Sequence, residues 1–311
     1  MTEETLKLAK KLDALGLWES LAQHNWALKP LGTVMPYFCT AISENGVVKT
    51  RLLFIEGWRT FQNYVANRAD RWFGYISSPM ELAHFELIVM KDGQMLLARY
   101  DEGFAPRETT PEDEAFLRRL MWQAYGVMMR LESDSGLILR YAGENALFAR
   151  IETKAGEWTD SPLAIPPFRP IVEKIGIEKK TAARVKDLPI VQSSVVAVDV
   201  RIVPGLFTRD KRPKTCYAFV VIDAKTGRLL ACRIMTVQDI QSGVKALWES
   251  VSQRLLEVFA ATGVVPGEIQ VVSGRLFRYL RPLGMTIPVK LSLHDKIDGL
   301  DEAFQVENLR K

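Results

Sequence analysis

The chain has 311 residues, 48% hydrophobic and 25% charged, and 41 Lys+Arg against 37 Asp+Glu leave a net charge of +4. This is the make-up of a soluble globular protein of about two domains, and it excludes disordered, collagen-like and fibrous chains. The charge is too small to require a nucleic-acid partner.

Thr2 to His24 is expected as a helix, with Leu8, Leu12, Leu15 and Trp18 near helical spacing and Glu3-Glu4 suiting its N-terminus. The runs Tyr37–Ile42 and Val47–Ile55 flank Ser43-Glu44-Asn45-Gly46 and read as a hairpin. A helix through Trp58, Phe61 and Tyr64 follows. Phe85–Met90 and Gln94–Tyr100 form a second hairpin across Lys91-Asp92-Gly93. Pro111-Glu112-Asp113-Glu114 opens a helix to about Leu131. A pair of strands is expected near Leu137–Tyr141 and Ala146–Ile151. These elements make residues 1–157 an α+β domain with hairpins and Trp-rich helices. Residues 158–189, with Pro162, Pro166, Pro167 and Pro170, read as a Pro-rich connector.

From Val195 the pattern is more regular. Three strands are expected at Val195–Ile202, Cys216–Asp223 and Arg228–Met235, the last two joined by Ala224-Lys225-Thr226-Gly227. A long helix from Asp239 to about Thr262 ends at Gly263. Strand Glu268–Val272, a short helix Arg275–Arg281, strand Met285–Leu291 and a closing helix Ile297–Leu309 complete the order β-β-β-α-β-α-β-α. Short links favour an antiparallel meander for the first three strands, and alternation with helices favours parallel pairing for the others. Residues 190–311 are therefore expected to be an α/β domain built on one mixed sheet.

That order, with Asp199 late in the first strand, resembles the ribonuclease H-like fold of integrase and transposase cores. Val221-Ile222-Asp223-Ala224-Lys225-Thr226-Gly227-Arg228 is similar to the hairpin those cores carry, and Pro266 to Phe277 is similar to their fourth-strand segment. The resemblance covers about Val195 to Leu309. It implies a carboxylate centre for two-metal phosphoryl transfer, with Asp199 as its first member. Val272, however, stands where the fourth-strand carboxylate is expected, and valine ligates no metal. A rebuilt site would draw on Asp223, Asp301, Glu302 and Glu307, and only then would the chain use Mg²⁺. The whole chain also resembles an uncharacterised bacterial two-domain family, through Arg212-Pro213, Ile222-Asp223, Gly227, Pro266, Leu280 and Leu283-Gly284. That resemblance supplies no activity.

From Ile190 onward 17 Lys+Arg stand against 12 Asp+Glu, so the second half carries the positive charge. Arg209, Lys211, Arg212 and Lys214 cluster in the loop between the first two strands. Arg275, Arg278 and Arg281 fall at a spacing of three. These residues are the candidate phosphate or nucleic-acid surface.

Cys39, Cys216 and Cys232 show no CxxC spacing, and His24, His84 and His294 form no zinc motif. No GxSxG, GxGxxG or GxxxxGK[ST] occurs. No metal or cofactor is expected, no membrane span is present, and three buried thiols suit a reducing cytoplasm. The expectation is a cytoplasmic interaction protein, non-catalytic, with a degenerate ribonuclease H-like domain that binds nucleic acid or protein. The alternatives are a metal-dependent nuclease or recombinase-like enzyme with rearranged carboxylates, and a small-molecule binder or enzyme acting through the N-terminal domain. The sequence leaves the oligomeric state open.

Overall fold

The computed structural model describes residues 1–16, 18, 24–43, 46–69, 81–143, 145–167, 177–238 and 243–304. The chain is mixed α/β and divides into two compact units. One comprises Met1–Gln62, Leu82–Asp101 and Pro106–Arg169; the other comprises Asn63–Glu81, Glu102–Ala105 and Pro170–Lys311. Among the described residues no helix is long and apolar enough to cross a membrane.

The first unit is built on an eight-stranded sheet. Its strands are β1 (Trp26–Lys29), β2 (Tyr37–Ser43), β3 (Val48–Glu56), β4 (His84–Met90), β5 (Met95–Tyr100), β6 (Arg107–Glu108), β7 (Ala146–Glu152) and β8 (Trp158–Ala164), in the order β6-β5-β4-β3-β2-β1-β7-β8. Only β1 and β7 run parallel; the other pairs are antiparallel. Helix α1 (Glu3–Leu15) starts at Thr2, whose hydroxyl accepts from the Thr5 amide, and stops at Gly16, where φ is 64°. Helix α2 is Trp58–Ala69, and Phe61 near its start stacks on Phe38 with centroids 3.9 Å apart. Helix α3 (Pro111–Ser133) opens with a capping box between Thr110 and Asp113. Alternation along the strands sends Leu52, Phe54, Phe85 and Leu87 to the face where Leu8, Leu12, Leu120 and Val127 of α1 and α3 are buried. Each such side chain contributes about 1.5–3 kcal/mol on full burial.

The second unit has a five-stranded mixed sheet of β9 (Ile190–Phe207), β10 (Thr215–Asp223), β11 (Leu229–Met235), β12 (Val265–Val271) and β13 (Lys290–Leu293). The order is β11-β10-β9-β12-β13, with the first three strands antiparallel and β9-β12 and β12-β13 parallel. Its helices are α4 (Lys179–Lys186), α5 (Gly243–Glu249), α6 (Val251–Thr262), α7 (Gly274–Leu280) and α8 (Leu300–Ala303). Val196, Val198 and Val200 of β9 share a core with Leu247, Trp248, Leu255 and Phe259 on one face of the sheet. On the other face Ala197, Ala218, Val220 and Ile222 pack with Ile297, Leu300 and Ala303. A glycine is needed at 267: a Cβ there would lie 2.5 Å from the carbonyl oxygen of Gln192 on the neighbouring strand.

Several expected elements differ. The first helix ends at Leu15 rather than His24 because Gly16 takes the left-handed cap. Leu137–Tyr141 is a set of turns, and Leu137 and Ile138 are buried from those turns. Strand β1 was not anticipated. The stretch 158–189 holds β8, hydrogen-bonded along β7, and α4. The long helix is two, α5 and α6, separated at Ser250, whose hydroxyl donates to the Leu247 carbonyl at 2.7 Å and competes with the helix ladder. The last strand is Lys290–Leu293 rather than Met285–Leu291, because Arg281–Met285 forms a 3-10 turn. Of the closing helix, α8 is described and Glu307 lies outside the described residues.

Candidate functional site

The candidate site lies on the face of the five-stranded sheet that carries α8. Alternation along β9 puts Ala197 and Asp199 on this face while Val198 and Val200 enter the helix-covered core. Asp199 is buried. One of its oxygens accepts from the Val200 amide at 2.8 Å and the other from Arg201 Nε at 2.7 Å. The same guanidinium reaches Asp301 on α8, Nη1 to Oδ1, at 2.7 Å. Its carbon lies 4.4 Å from the centroid of Phe304. One arginine thus holds two carboxylates a hundred residues apart in sequence. Burial pushes the Asp199 carboxyl up from its ordinary range, and Arg201 and the Val200 amide oppose that without reversing it.

Of the other proposed carboxylates among the described residues, Asp223 and Glu302 do not join this pair in a metal-holding group. Asp223 accepts from the amides of Lys225 and Thr226 at 3.0 and 2.8 Å and from the Thr226 hydroxyl at 2.9 Å, which lowers its pKa. It is spent on its own turn. Glu302 is exposed on α8. Val272 packs beside the apolar cluster of Ala197, Val220 and Ile222. Among the described residues no group of three or more His, Cys, Asp or Glu is placed to hold a metal ion.

The candidate phosphate residues also separate, and Arg281, past the end of α7, is exposed. Arg209 and Lys211 are exposed in the loop. Arg212 stacks on Phe104, its guanidinium carbon 4.3 Å from the ring centroid. Lys214 donates to the Gln238 carbonyl at 3.0 Å. Arg278 is half-buried on α7. Arg275, expected on the same face as Arg278, is instead buried, with Nη1 at 3.0 and 2.9 Å from the two oxygens of Glu81. Its guanidinium covers Trp248 at 3.9 Å from the ring centroid, and Trp248 Nε1 donates to Glu81 at 3.3 Å. Arg275 is thereby a packing residue of the second unit.

A further cluster on the face of Asp199 was missed. Glu268 on β12 accepts from the Ser292 hydroxyl and pairs with Lys290 at 3.1 Å, and Ser292 Oγ lies 3.0 Å from His294 Nε2. The available signal was the i, i+2 spacing of Lys290, Ser292 and His294, the first two on β13 and the third just past its end. Glu268 can only accept when ionised, and its hydrogen bonds lower its pKa. Ser292 therefore donates to Glu268 and receives from His294. That order is the reverse of a Ser-His-acid triad, where histidine takes the serine proton.

A family model described as a domain of unknown function (DUF6930) matches residues 181–306. No curated protein and no solved structure matches the chain. The matched span contains the candidate site and all five strands' pairing core, and the description assigns no activity.

Proposed function

We propose that the chain is a cytoplasmic, non-catalytic interaction protein whose second unit is a ribonuclease H-like module with an ion pair in the position of its metal-binding carboxylates. The observation that carries this reading is Arg201. One guanidinium already binds both Asp199 and Asp301, and Val272 offers no further ligand. A site that bound two divalent ions would need several converging carboxylates there instead. The strand order β11-β10-β9-β12-β13, with three antiparallel strands followed by two parallel ones, supports the fold assignment. The two-domain bacterial family remains the wider kinship in this reading.

The test is cleavage of single- and double-stranded DNA and RNA by the full chain with Mg²⁺ or Mn²⁺. No cleavage attributable to Asp199 is expected. Cleavage abolished by Asp199→Asn overturns the reading in favour of a nuclease. The exposed Arg209 and Lys211 favour a second, weaker reading, in which the loop binds nucleic acid through phosphates alone. Binding that falls steeply with salt and weakens in Arg209→Ser/Lys211→Ser for every sequence supports it.

A further inference from the structure

Exposed sheet edges are templates for pairing with another chain, and proteins blunt them by shortness, proline, charge or bulges. Among the described residues, three of the four sheet edges carry such devices. β6 has two residues. β8 has Pro162 in its interior and Asp160, which pairs with Arg130 and Arg150. β13 has four residues and begins with Lys290. β11 differs: its seven residues read Leu-Leu-Ala-Cys-Arg-Ile-Met. The pairing with β10 is irregular at Leu230, but Ala231–Met235 is in regular register. Its one charge, Arg233, is directed to Glu257, with 2.5 Å between Nη1 and Oε2. Leu229 and Ile234 remain 38% and 42% exposed.

We propose that β11 is the pairing edge for a second copy of this chain, joined antiparallel about a twofold axis at Cys232. The strand's own sequence argues for a copy of itself. Residues opposite one another across such a pair share a sheet face, so the axis must pass through a residue. Centred on Arg233, the pairing would oppose two guanidinium groups. Centred on Cys232, it sets Arg233 against Ala231 of the partner copy and leaves each arginine with its own Glu257. Cys232 then faces Cys232, and the exposed Ile234 gains an apolar neighbour at the Leu229-Leu230 end of the other strand. Val220 and Ala218 lie behind Cys232 and Ile234 in the register with β10, so the apolar face continues into the sheet. The short pairing length makes this a weak, concentration-dependent dimer. The inference does not depend on the reading of Asp199.

Sedimentation of the full chain over a range of concentrations tests it, together with oxidation by copper-phenanthroline. Opposite residues of an antiparallel pair lie about 4.5–5.5 Å apart, within reach of a disulfide. The expected result is a reversible dimer that yields a disulfide-linked species through Cys232, lost in Cys232→Ser while that variant still dimerises. Ile234→Lys is expected to weaken dimerisation by about tenfold or more, since a lysine on the edge opposes pairing, with unchanged unfolding of the monomer. A chain that stays monomeric overturns the proposal and leaves the edge to a strand of another protein. A dimer that Ile234→Lys does not weaken and that forms no Cys232 link overturns it as well.

Discussion

Arg201 and Asp199 lie two residues apart on one strand face, with Nε 2.7 Å from Oδ2, yet one partner is buried and the other is 36% exposed. Their removal is therefore not symmetrical. Taking away Arg201 leaves a buried carboxylate without its cation, whereas taking away the carboxylate charge leaves a guanidinium that still reaches Asp301 and water.

Arg201→Ala is accordingly expected to cost about 1–3 kcal/mol in urea unfolding, below the value for a fully buried pair because the guanidinium is partly solvated. Asp199→Asn should cost less, about 1 kcal/mol, and should reduce the penalty of Arg201→Ala when combined with it. Strict additivity of the two changes would contradict the pairing. The upward shift of Asp199 sets the sign of its pH effect. A carboxyl whose folded pKa exceeds its unfolded value contributes most below the ordinary Asp range and loses that contribution as pH rises through the folded value. Asp199→Asn should remove this dependence.

Glu81 and Arg275 are both nearly inaccessible, and Trp248 closes the pair from a third side. Arg275→Met or Glu81→Gln alone is expected to lower stability by about 3–5 kcal/mol, because each strands a buried partner. The double variant Glu81→Leu/Arg275→Met should recover part of that loss. Unfolding by urea, followed by circular dichroism, measures it, and a single-variant cost below about 1 kcal/mol would contradict the buried pair.

In the first unit His84 is buried, stacks on Tyr100 at 4.3 Å and meets the Leu82 carbonyl through Nδ1 at 3.0 Å. Burial lowers its pKa to about 4; the hydrogen bond to Leu82 opposes this, and Arg99 and Arg51 add to it. The unfolded chain therefore binds a proton that the folded chain refuses between about pH 6.5 and 4. Its contribution is complete above that range and is lost as pH falls through it. His84→Phe keeps the stack and should flatten the pH dependence of urea stability in this window. An unchanged slope would show that His84 is not a neutral buried group.

The strand order of the second unit was legible because apolar runs of strand length are punctuated by turn residues with a defined job. Asp223 caps its own turn and Gly227 takes φ of 70°, so the β10-β11 hairpin is written locally. β1 was not legible: Trp-Ala-Leu-Lys is four residues long, too short to show an alternation, and is held by partners on both sides. β8 was hidden by Pro162 and its polar residues, which an edge strand tolerates and an interior strand does not. Among the candidate site residues, Asp199 and Val272 could be placed from the pattern of the strands. Arg201 stands two residues from Asp199 on the same strand face, within reach of alternation, whereas its link to Asp301 spans a hundred residues and has no local signal. The helical spacing of Arg275 and Arg278 indicated a surface face, but Glu81, 194 residues away, draws Arg275 into the core.

The most direct test of the central claim is titration of the full chain with Mn²⁺ followed by electron paramagnetic resonance, alongside Asp199→Asn. The ion pair predicts identical titrations for the two proteins, with no saturable site dependent on Asp199. A saturable Mn²⁺ site that disappears in Asp199→Asn would mean that Asp199 serves a cation other than Arg201, and would contradict the account.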